Sequence, residues 1–280
     1  MEKYEIYDDI KERTNGDIYI GVVGPVRVGK STFITQFMQK LVLPNITEKN
    51  SKERTIDELP QSADGKTIMT TQPHFVPNEA VKIKVANAEM SVRMIDCVGY
   101  LIPEAMGAVE NGQPRMVRTP WQEEPMPFVQ AAETGTRKVI TDHSTIGMLV
   151  TTDGSIGEIP RSSYVEAEER IVRELKEIGK PFAVILNSAT PGAEASTALA
   201  YELEEKYGVP VALVSCLDLD AEDIRHILGL VLEEFPVAEV TLRLPEWTTA
   251  HDESHRNRTS LRPTLSHCAE QLQRMGDVKL

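Results

Sequence analysis

A chain of 280 residues with a net charge of −13 is too acidic for sequence-independent nucleic-acid binding, which depends on phosphate neutralisation. Three widely spaced cysteines, Cys97, Cys216 and Cys268, favour free thiols over a disulfide framework. The acidic start lacks a signal peptide, and no apolar run approaches the roughly 20 residues of a membrane span. We therefore expect a soluble cytoplasmic protein with at most peripheral membrane contact and no nucleic-acid partner.

Buried strands and helices alternate along the chain. Continuous apolar runs predict buried strands at residues 18–24, 146–152, 181–187 and 211–216. Helices are predicted after them, from Lys30 to about Leu41, over 128–141, from Ser163, near 193–207 and from Ala221 to Phe235. Ser163 and Glu166 match a capping box at the start of the third helix.

The remaining segments set the fold class. Residues 81–87 and 90–96 are predicted to pair as a hairpin, whereas residues 44–79 and 99–127 are predicted to be long loops. We expect an α/β fold with a mostly parallel sheet, flanking helices and one antiparallel edge hairpin. The pattern changes after Pro236, where residues 240–247 alternate like a half-exposed strand. We therefore predict one domain over 1–236 and the start of a second, smaller domain over 237–280.

The sequence GPVRVGKS at residues 24–31 matches G-x-x-x-x-G-K-[ST] between a predicted strand and a predicted helix. Such a loop turns successive backbone N–H groups toward one anion, at the positive end of the helix dipole. Lys30 would neutralise the β- and γ-phosphates, and the Ser31 hydroxyl would bind Mg²⁺. The fold class is thus that of a phosphate-loop NTPase. The predicted nucleotide-binding residues of the loop are Gly24, Pro25, Val26, Arg27, Val28, Gly29, Lys30, Ser31 and Thr32.

Two further motifs predict a metal support and a γ-phosphate sensor. Asp96 ends a predicted strand and would hold the magnesium, while the N–H of Gly99 would meet the γ-phosphate. Thr70 and Thr71 precede the hairpin, where switch-type nucleotidases place a sensing threonine, and the sequence does not choose between them. We predict Lys30, Thr70, Thr71 and Asp96 as catalytic residues, and Ser31, Asp96 and Thr71 as the metal set.

The base-binding motif of guanine-specific relatives, N-K-x-D, is degraded here. Asn187 remains and is predicted to bind nucleotide, but Ser188 and Thr190 occupy the lysine and aspartate places. Without that carboxylate the main reason to prefer guanine is lost, so we expect ATP or weak base discrimination. Tyr100 stands where many GTPases carry a water-orienting glutamine, which favours slow hydrolysis or dependence on neighbouring subunits.

Several longer stretches within about residues 1–247 read MEKYEIYDDI, GVVGPVRVGKSTFI, TIMTTQPHFVPNEA, IDCVGYLIPEAMG, TDHSTIGMLVTTDGSIGEIPR and LRLPEW. Together they resemble the stage IV sporulation protein A family, the spore-coat morphogenetic ATPases of endospore-forming bacteria. The family is related to switch GTPases but uses ATP. Its members have a longer C-terminal part, and residues after about Thr248 show no such match, so we expect a truncated or divergent tail.

The resemblance implies a structural ATPase that polymerises into the basement layer of the spore coat. It implies a location on the mother-cell face of the outer forespore membrane, recruitment by a small amphipathic membrane protein, and coat proteins as further partners. Two alternatives remain open at this point. One is a GTP-driven switch or ribosome-assembly GTPase, and the other is a nonenzymatic nucleotide-binding scaffold. For a magnesium-dependent ATPase, we expect the long loops to carry the assembly contacts.

Overall fold

A computed structural model of the chain describes residues 11–60, 73–85, 88–104, 109–110, 112–237 and 256–277. The strands are β1 Asp17–Val23, β2 His74–Val85, β3 Ala88–Asp96, β4 Val109–Glu110, β5 Gln113–Pro114, β6 Met116–Thr119, β7 Gln122–Pro127, β8 Ile146–Thr152, β9 Phe182–Asn187 and β10 Val211–Val214. The helices are α1 Lys30–Phe37, α2 Lys49–Asp57, α3 Phe128–Lys138, α4 Val165–Ile178, α5 Glu194–Tyr207, α6 Ala221–Glu233 and α7 Arg256–Gln271.

Six strands form the main sheet in the order β10-β9-β8-β1-β3-β2. β1 lies in the middle, where Ile20 pairs with Met94 of β3 on one side and Ile146 of β8 on the other. All these neighbours run parallel, and β2 pairs antiparallel with β3 at the edge. Every residue of β8 and β9 is buried, which explains why both strands are apolar except at their carboxyl ends, Thr151, Thr152 and Asn187. The predicted α/β fold with a mostly parallel sheet and an edge hairpin is therefore confirmed.

Helices cover the sheet through apolar stripes. α1 buries Phe33, Ile34 and Phe37, and the chain continues through a wider π-helical turn, Met38–Val42. In α4 the buried stripe includes Ile171, Val172 and Leu175, and Gly179 ends the helix in the left-handed conformation. Because the parallel strands point the same way, their carboxyl ends meet at one edge of the sheet. The segments after β1, β3, β8, β9 and β10 all start at that edge.

Three local predictions differ from the structure. The predicted loop over 44–79 contains α2 and the beginning of β2, and the predicted loop over 99–127 contains the short hairpins β4–β5 and β6–β7. The predicted capping box is absent, because Ser163 lies in a 3-10 turn and its hydroxyl donates to Glu104 at 2.7 Å. Tyr164 is the residue that precedes α4, and it makes no capping hydrogen bond through its side chain.

Contacts divide the chain into two compact units, Met1–Val231 and Leu232–Leu280. In the second unit, Arg274 pairs with Glu234 at 2.8 Å and forms a β-bridge with Pro236. The strand predicted over 240–247 lies outside the described residues, so the domain boundary near 237 stays a prediction. Within the part of the chain that the structure describes, no helix is both long and apolar enough to cross a membrane.

Candidate functional site

The loop after β1 curls because its backbone adopts conformations suited to glycine. Gly24 has φ 151° and Gly29 has φ 95°, both outside the usual range of residues with a side chain. A Cβ on Gly24 would lie 2.1 Å from the Val150 carbonyl oxygen, so only glycine fits there. α1 then begins at Lys30, and the Phe33 N–H donates to the Gly29 carbonyl at 2.9 Å. The loop therefore delivers the start of a helix to the edge where the parallel strands end.

Lys30 is buried beneath this loop. Its ammonium donates to the Pro25 carbonyl at 2.6 Å and to the Gly24 carbonyl at 3.3 Å. Burial lowers the pKa of Lys30 below its usual value, while the neighbouring Asp96 carboxylate acts in the opposite direction. Two neutral carbonyls therefore hold the Lys30 ammonium across the loop. A bound anion would compete with these carbonyls for the ammonium.

Ser31 and Asp96 meet at the head of α1. The Ser31 hydroxyl donates to Asp96 Oδ2 at 2.8 Å. The other oxygen, Asp96 Oδ1, is buried and has no hydrogen-bond partner among the described residues. Burial raises the pKa of Asp96, and the positive charge of Lys30 with the Ser31 hydrogen bond only partly offsets that effect.

This arrangement fits a magnesium ion. A hydroxyl and a carboxylate are the hard oxygen donors that Mg²⁺ takes from proteins, usually one or two of them beside phosphate oxygens and water. The unpartnered Asp96 Oδ1 is a buried acceptor that such an ion, or a water bound to it, would satisfy. Thr71, the third predicted metal residue, and its neighbour Thr70 lie outside the described residues.

Gly99 packs directly on the phosphate loop. Its φ is 88°, and a Cβ there would lie 2.0 Å from the Gly24 carbonyl oxygen and 2.7 Å from Lys30 Nζ. The next residue continues the contact, since the Val26 N–H donates to the Tyr100 carbonyl at 3.0 Å. The segment after β3 therefore packs directly against the phosphate loop and leaves no room for a side chain at position 99.

Tyr100 turns its ring away from the loop. Its hydroxyl donates to Glu174 of α4 at 2.5 Å, and the Arg170 guanidinium lies 4.5 Å from the centre of its ring. Burial raises the pKa of this phenol, and so does the hydrogen bond to Glu174. The side chain at the place of the water-orienting glutamine is thus engaged with a helix rather than with the phosphate loop.

Asn187 joins three segments at the same edge. Its side-chain amide donates to the Val28 carbonyl of the phosphate loop at 3.0 Å, and its oxygen accepts the Cys216 N–H at 3.0 Å. A Cβ on Gly29 would lie 2.4 Å from the same amide nitrogen. Asn187 therefore holds the phosphate loop and the segment after β10 through its polar atoms. Its role in nucleotide binding stays a prediction.

The other residues predicted in the loop differ in exposure. Val26 and Val28 are buried, so their side chains pack in the core and only their main-chain groups face the loop. Arg27 is exposed and has φ 63°. Thr32, the third helical residue, is half-buried.

Sequence reasoning missed two polar clusters beside the site. One consists of Asp153, Ser155, Ser188 and Ser196. In the other, the fully buried Glu168 accepts two hydrogen bonds from Arg161 at 2.6 Å each, and one from Tyr207 at 2.5 Å. Each cluster joins residues from separate elements, and the only local signal was a set of polar residues just after β8.

The strand order with its edge hairpin, and a G-x-x-x-x-G-K-S loop at the central strand, define a phosphate-loop NTPase related in topology to switch GTPases. The model of the stage IV sporulation protein A ATPase domain matches residues 1–236. The chain therefore belongs to the stage IV sporulation protein A family and carries its ATPase domain.

Individual relatives agree with this assignment. The chain is 50% identical over 279 residues to stage IV sporulation protein A of Bacillus subtilis (strain 168), with 99% of this chain and 57% of that protein covered. It is 52% identical over 279 residues to the protein of that name from Bacillus anthracis, with the same shares covered. The Clostridioides difficile (strain 630) protein is 50% identical over 275 residues, with 98% of this chain and 56% of that protein covered.

The extent of these matches has two consequences. The chain spans a little more than half the length of its curated relatives. The similarity also continues beyond residue 248, farther than the motifs alone indicated. Among solved structures, a dimerization-deficient mutant of Toc33 from Arabidopsis thaliana matches with a TM-score of 0.46 and 12% identity, covering 83% of this chain and 89% of that one.

Proposed function

We propose that this chain binds ATP with Mg²⁺, hydrolyses it, and couples turnover to assembly of the basement layer of the spore coat. The observation that carries the proposal is the Ser31–Asp96 contact of 2.8 Å beside the buried Lys30. Together these residues supply the hydroxyl, carboxylate and ammonium that recur where proteins bind a magnesium-triphosphate.

Each residue has a distinct part in this proposal. Main-chain N–H groups at the start of α1 bind phosphate oxygens, and Lys30 exchanges its two carbonyl contacts for the β- and γ-phosphates. Ser31 and Asp96 hold the metal, which when bound neutralises charge that develops on the phosphates. Thr70 or Thr71 acts as the γ-phosphate sensor, as the sequence predicts.

The change of shape is proposed to start at Gly99. Its backbone lies beside the Gly24 carbonyl and the Lys30 ammonium, so a γ-phosphate bound at Lys30 would also lie next to the segment after β3. Release of the γ-phosphate then frees that segment, which leads into the hairpins at residues 109–127. Val109 and Met116 in these hairpins are large apolar residues with exposed fractions of 63% and 53%, as expected for residues that make assembly contacts.

Adenine is the proposed base. At the positions of the guanine motif the chain has Ser188, which is fully buried, and Thr190, and neither supplies a carboxylate to the base. The GTP-driven alternative therefore has no side chain in this turn that would select guanine.

Location and partners are proposed from family membership. We place the chain on the cytoplasmic, mother-cell face of the outer forespore membrane, in peripheral contact with it. A small amphipathic membrane protein would recruit it, copies of the chain would polymerise, and coat proteins would assemble on them. No nucleic-acid partner is proposed, in line with the net charge of −13.

A nonenzymatic nucleotide-binding scaffold is the second candidate. The Tyr100–Glu174 hydrogen bond favours it, because the residue at the glutamine position is not available to orient an attacking water. A phosphate-release assay combined with sedimentation separates the two. The ATPase proposal predicts magnesium-dependent phosphate release that increases with the amount of sedimenting protein. Nucleotide binding without phosphate release would favour the scaffold.

A competition experiment tests the assignment of adenine. Displacement of labelled ATP by GTP at a lower concentration than by unlabelled ATP would contradict that assignment.

A further inference from the structure

A cluster of one carboxylate and three hydroxyls connects the segments after β8 and β9 with the start of α5. Asp153 Oδ1 accepts hydrogen bonds from the main-chain N–H and the hydroxyl of Ser155, at 2.9 and 2.5 Å. Asp153 Oδ2 accepts one from the Ser196 hydroxyl at 2.8 Å. Both carboxylate oxygens are therefore used to hold other parts of the chain, and neither is aimed at the phosphate loop.

The cluster fixes the turn at residues 187–190. The Ser155 hydroxyl accepts the Ala189 N–H at 2.8 Å, and the Ser188 hydroxyl accepts the Thr190 N–H at 3.0 Å. Ser188 Oγ also lies 3.3 Å from Ser196 Oγ, and both of these serines are buried. Consecutive main-chain N–H groups of the turn are thus bonded to side chains of the cluster, so the turn depends on the cluster for its conformation.

The position of this turn connects the cluster to the nucleotide. It begins at Asn187, which contacts the Val28 carbonyl of the phosphate loop, and it corresponds to the base-reading N-K-x-D segment of guanine-specific relatives. The turn has no lysine or aspartate, and the N–H groups of Ser188, Ala189 and Thr190 are already hydrogen-bonded, so its contacts with a base would come largely from main-chain carbonyls. The orientation of those groups is set by what anchors the turn.

We propose that Asp153 and Ser155 are positioning residues of the base site, which set affinity for the purine by anchoring the 187–190 turn without touching the phosphates. This inference rests on the proposed ATP binding. Burial acts to raise the pKa of Asp153, but its hydrogen bonds from serines outweigh that effect and the pKa is lowered. The anchor is thus an ionised carboxylate at neutral pH, and charge-assisted hydrogen bonds are the stronger kind.

The test compares binding of Mg²⁺-ATP with binding of magnesium and inorganic triphosphate, which has no base. Ser155→Ala removes the acceptor of the Ala189 N–H and should weaken ATP binding about tenfold, the effect of one lost polar contact. Triphosphate binding should stay within about twofold of the wild type, because the phosphate loop is unchanged. Asp153→Asn should also weaken ATP binding. In both variants the affinities for ATP and GTP should be closer to each other than in the wild type.

Controls separate positioning from folding. Ser155→Thr keeps the hydroxyl and should recover most of the ATP affinity. Ser163→Ala removes a surface hydroxyl that also donates to a carboxylate, Glu104, and should leave both ligands bound as in the wild type. Thermal melting shows whether each variant folds. We expect the Ser155 variants to fold, because Ser155 is exposed.

Two results would overturn the inference. One is an equal loss of ATP and triphosphate affinity, which indicates general damage to the site. The other is unchanged ATP affinity in both Ser155→Ala and Asp153→Asn. If the wild-type chain bound neither ATP nor triphosphate, the proposed function itself would fail, so the two failures are distinguishable.

Discussion

The Tyr100 hydroxyl donates a 2.5 Å hydrogen bond to Glu174, while the Tyr100 main-chain carbonyl accepts the Val26 N–H of the phosphate loop. One residue therefore links the loop to α4 through its backbone on one side and its side chain on the other. Arg170 adds to the link, because it lies over the tyrosine ring and pairs with Glu133 at 2.8 Å. We expect a movement of the segment after β3 to reach α4 through these contacts.

Replacement of Tyr100 by phenylalanine tests whether the hydroxyl contributes to stability or to hydrolysis. Tyr100→Phe removes one of the two partners of Glu174, which keeps Arg170, and should cost about 1–2 kcal/mol of unfolding free energy in urea titrations. Turnover should change less than about threefold, because the hydroxyl faces α4 and not the phosphates. Loss of most phosphate release at unchanged stability would show instead that the hydroxyl takes part in hydrolysis.

A methyl group at position 99 should separate the segment after β3 from the loop. In Gly99→Ala the new Cβ meets the Gly24 carbonyl oxygen at 2.0 Å, at a φ of 88° that also strains alanine. We expect ATP affinity, measured by calorimetry, to fall at least about tenfold. Gly157→Ala is the matched control, since its Cβ meets no atom within 4 Å and its affinity should be that of the wild type. Equal affinities of the two variants would contradict the contact.

The buried pair of Arg161 and Glu168 should be important for stability. Glu168 is fully buried, so Arg161→Met leaves a buried carboxylate without its cation and should cost about 3–5 kcal/mol in urea unfolding. Lys206→Met breaks the solvent-exposed pair with Glu169 and should cost less than about 1 kcal/mol. A loss in Arg161→Met no larger than in this control would mean that the buried pair is not a structural anchor.

Asp96 should reduce the stability of the nucleotide-free chain. Burial raises its pKa above 3.8, so the folded state holds this proton more tightly than the unfolded state and the ionised group costs stability at neutral pH. Asp96→Asn should therefore raise the melting temperature at pH 7, and the gain should shrink as the pH falls through the raised pKa. The exposed Asp17→Asn serves as a control, with little change expected. A lower melting temperature in Asp96→Asn at pH 7 would contradict this account.

The sheet could be predicted because burial on both faces leaves continuous apolar runs in the sequences of its strands. β8 and β9 are buried on both faces, so their sequences, IGMLVTT and FAVILN, lack alternation. The phosphate loop could be predicted equally well, because its glycines, lysine and serine lie in one short segment. The contact of Ser31 with Asp96, 65 residues away, was expected from their shared role at the metal, and the parallel pairing of β1 with β3 brings the two residues together.

What sequence reasoning missed depends on tertiary contacts. α2 is polar and buries only Thr55, so no apolar stripe marked it as a helix. The Ser163 capping box failed because Glu104, from a distant segment, takes its hydroxyl. The cluster around Asp153 joins three segments, and nothing in a local pattern indicates which hydroxyls converge on one carboxylate.

The most direct test of the central claim is calorimetric titration of ATP, with and without Mg²⁺, into the wild type and Lys30→Ala. The account predicts magnesium-dependent binding by the wild type and at least about a tenfold loss in Lys30→Ala, because the ammonium beside the Ser31–Asp96 pair is removed. Binding of ATP by Lys30→Ala with the affinity and magnesium dependence of the wild type would contradict it.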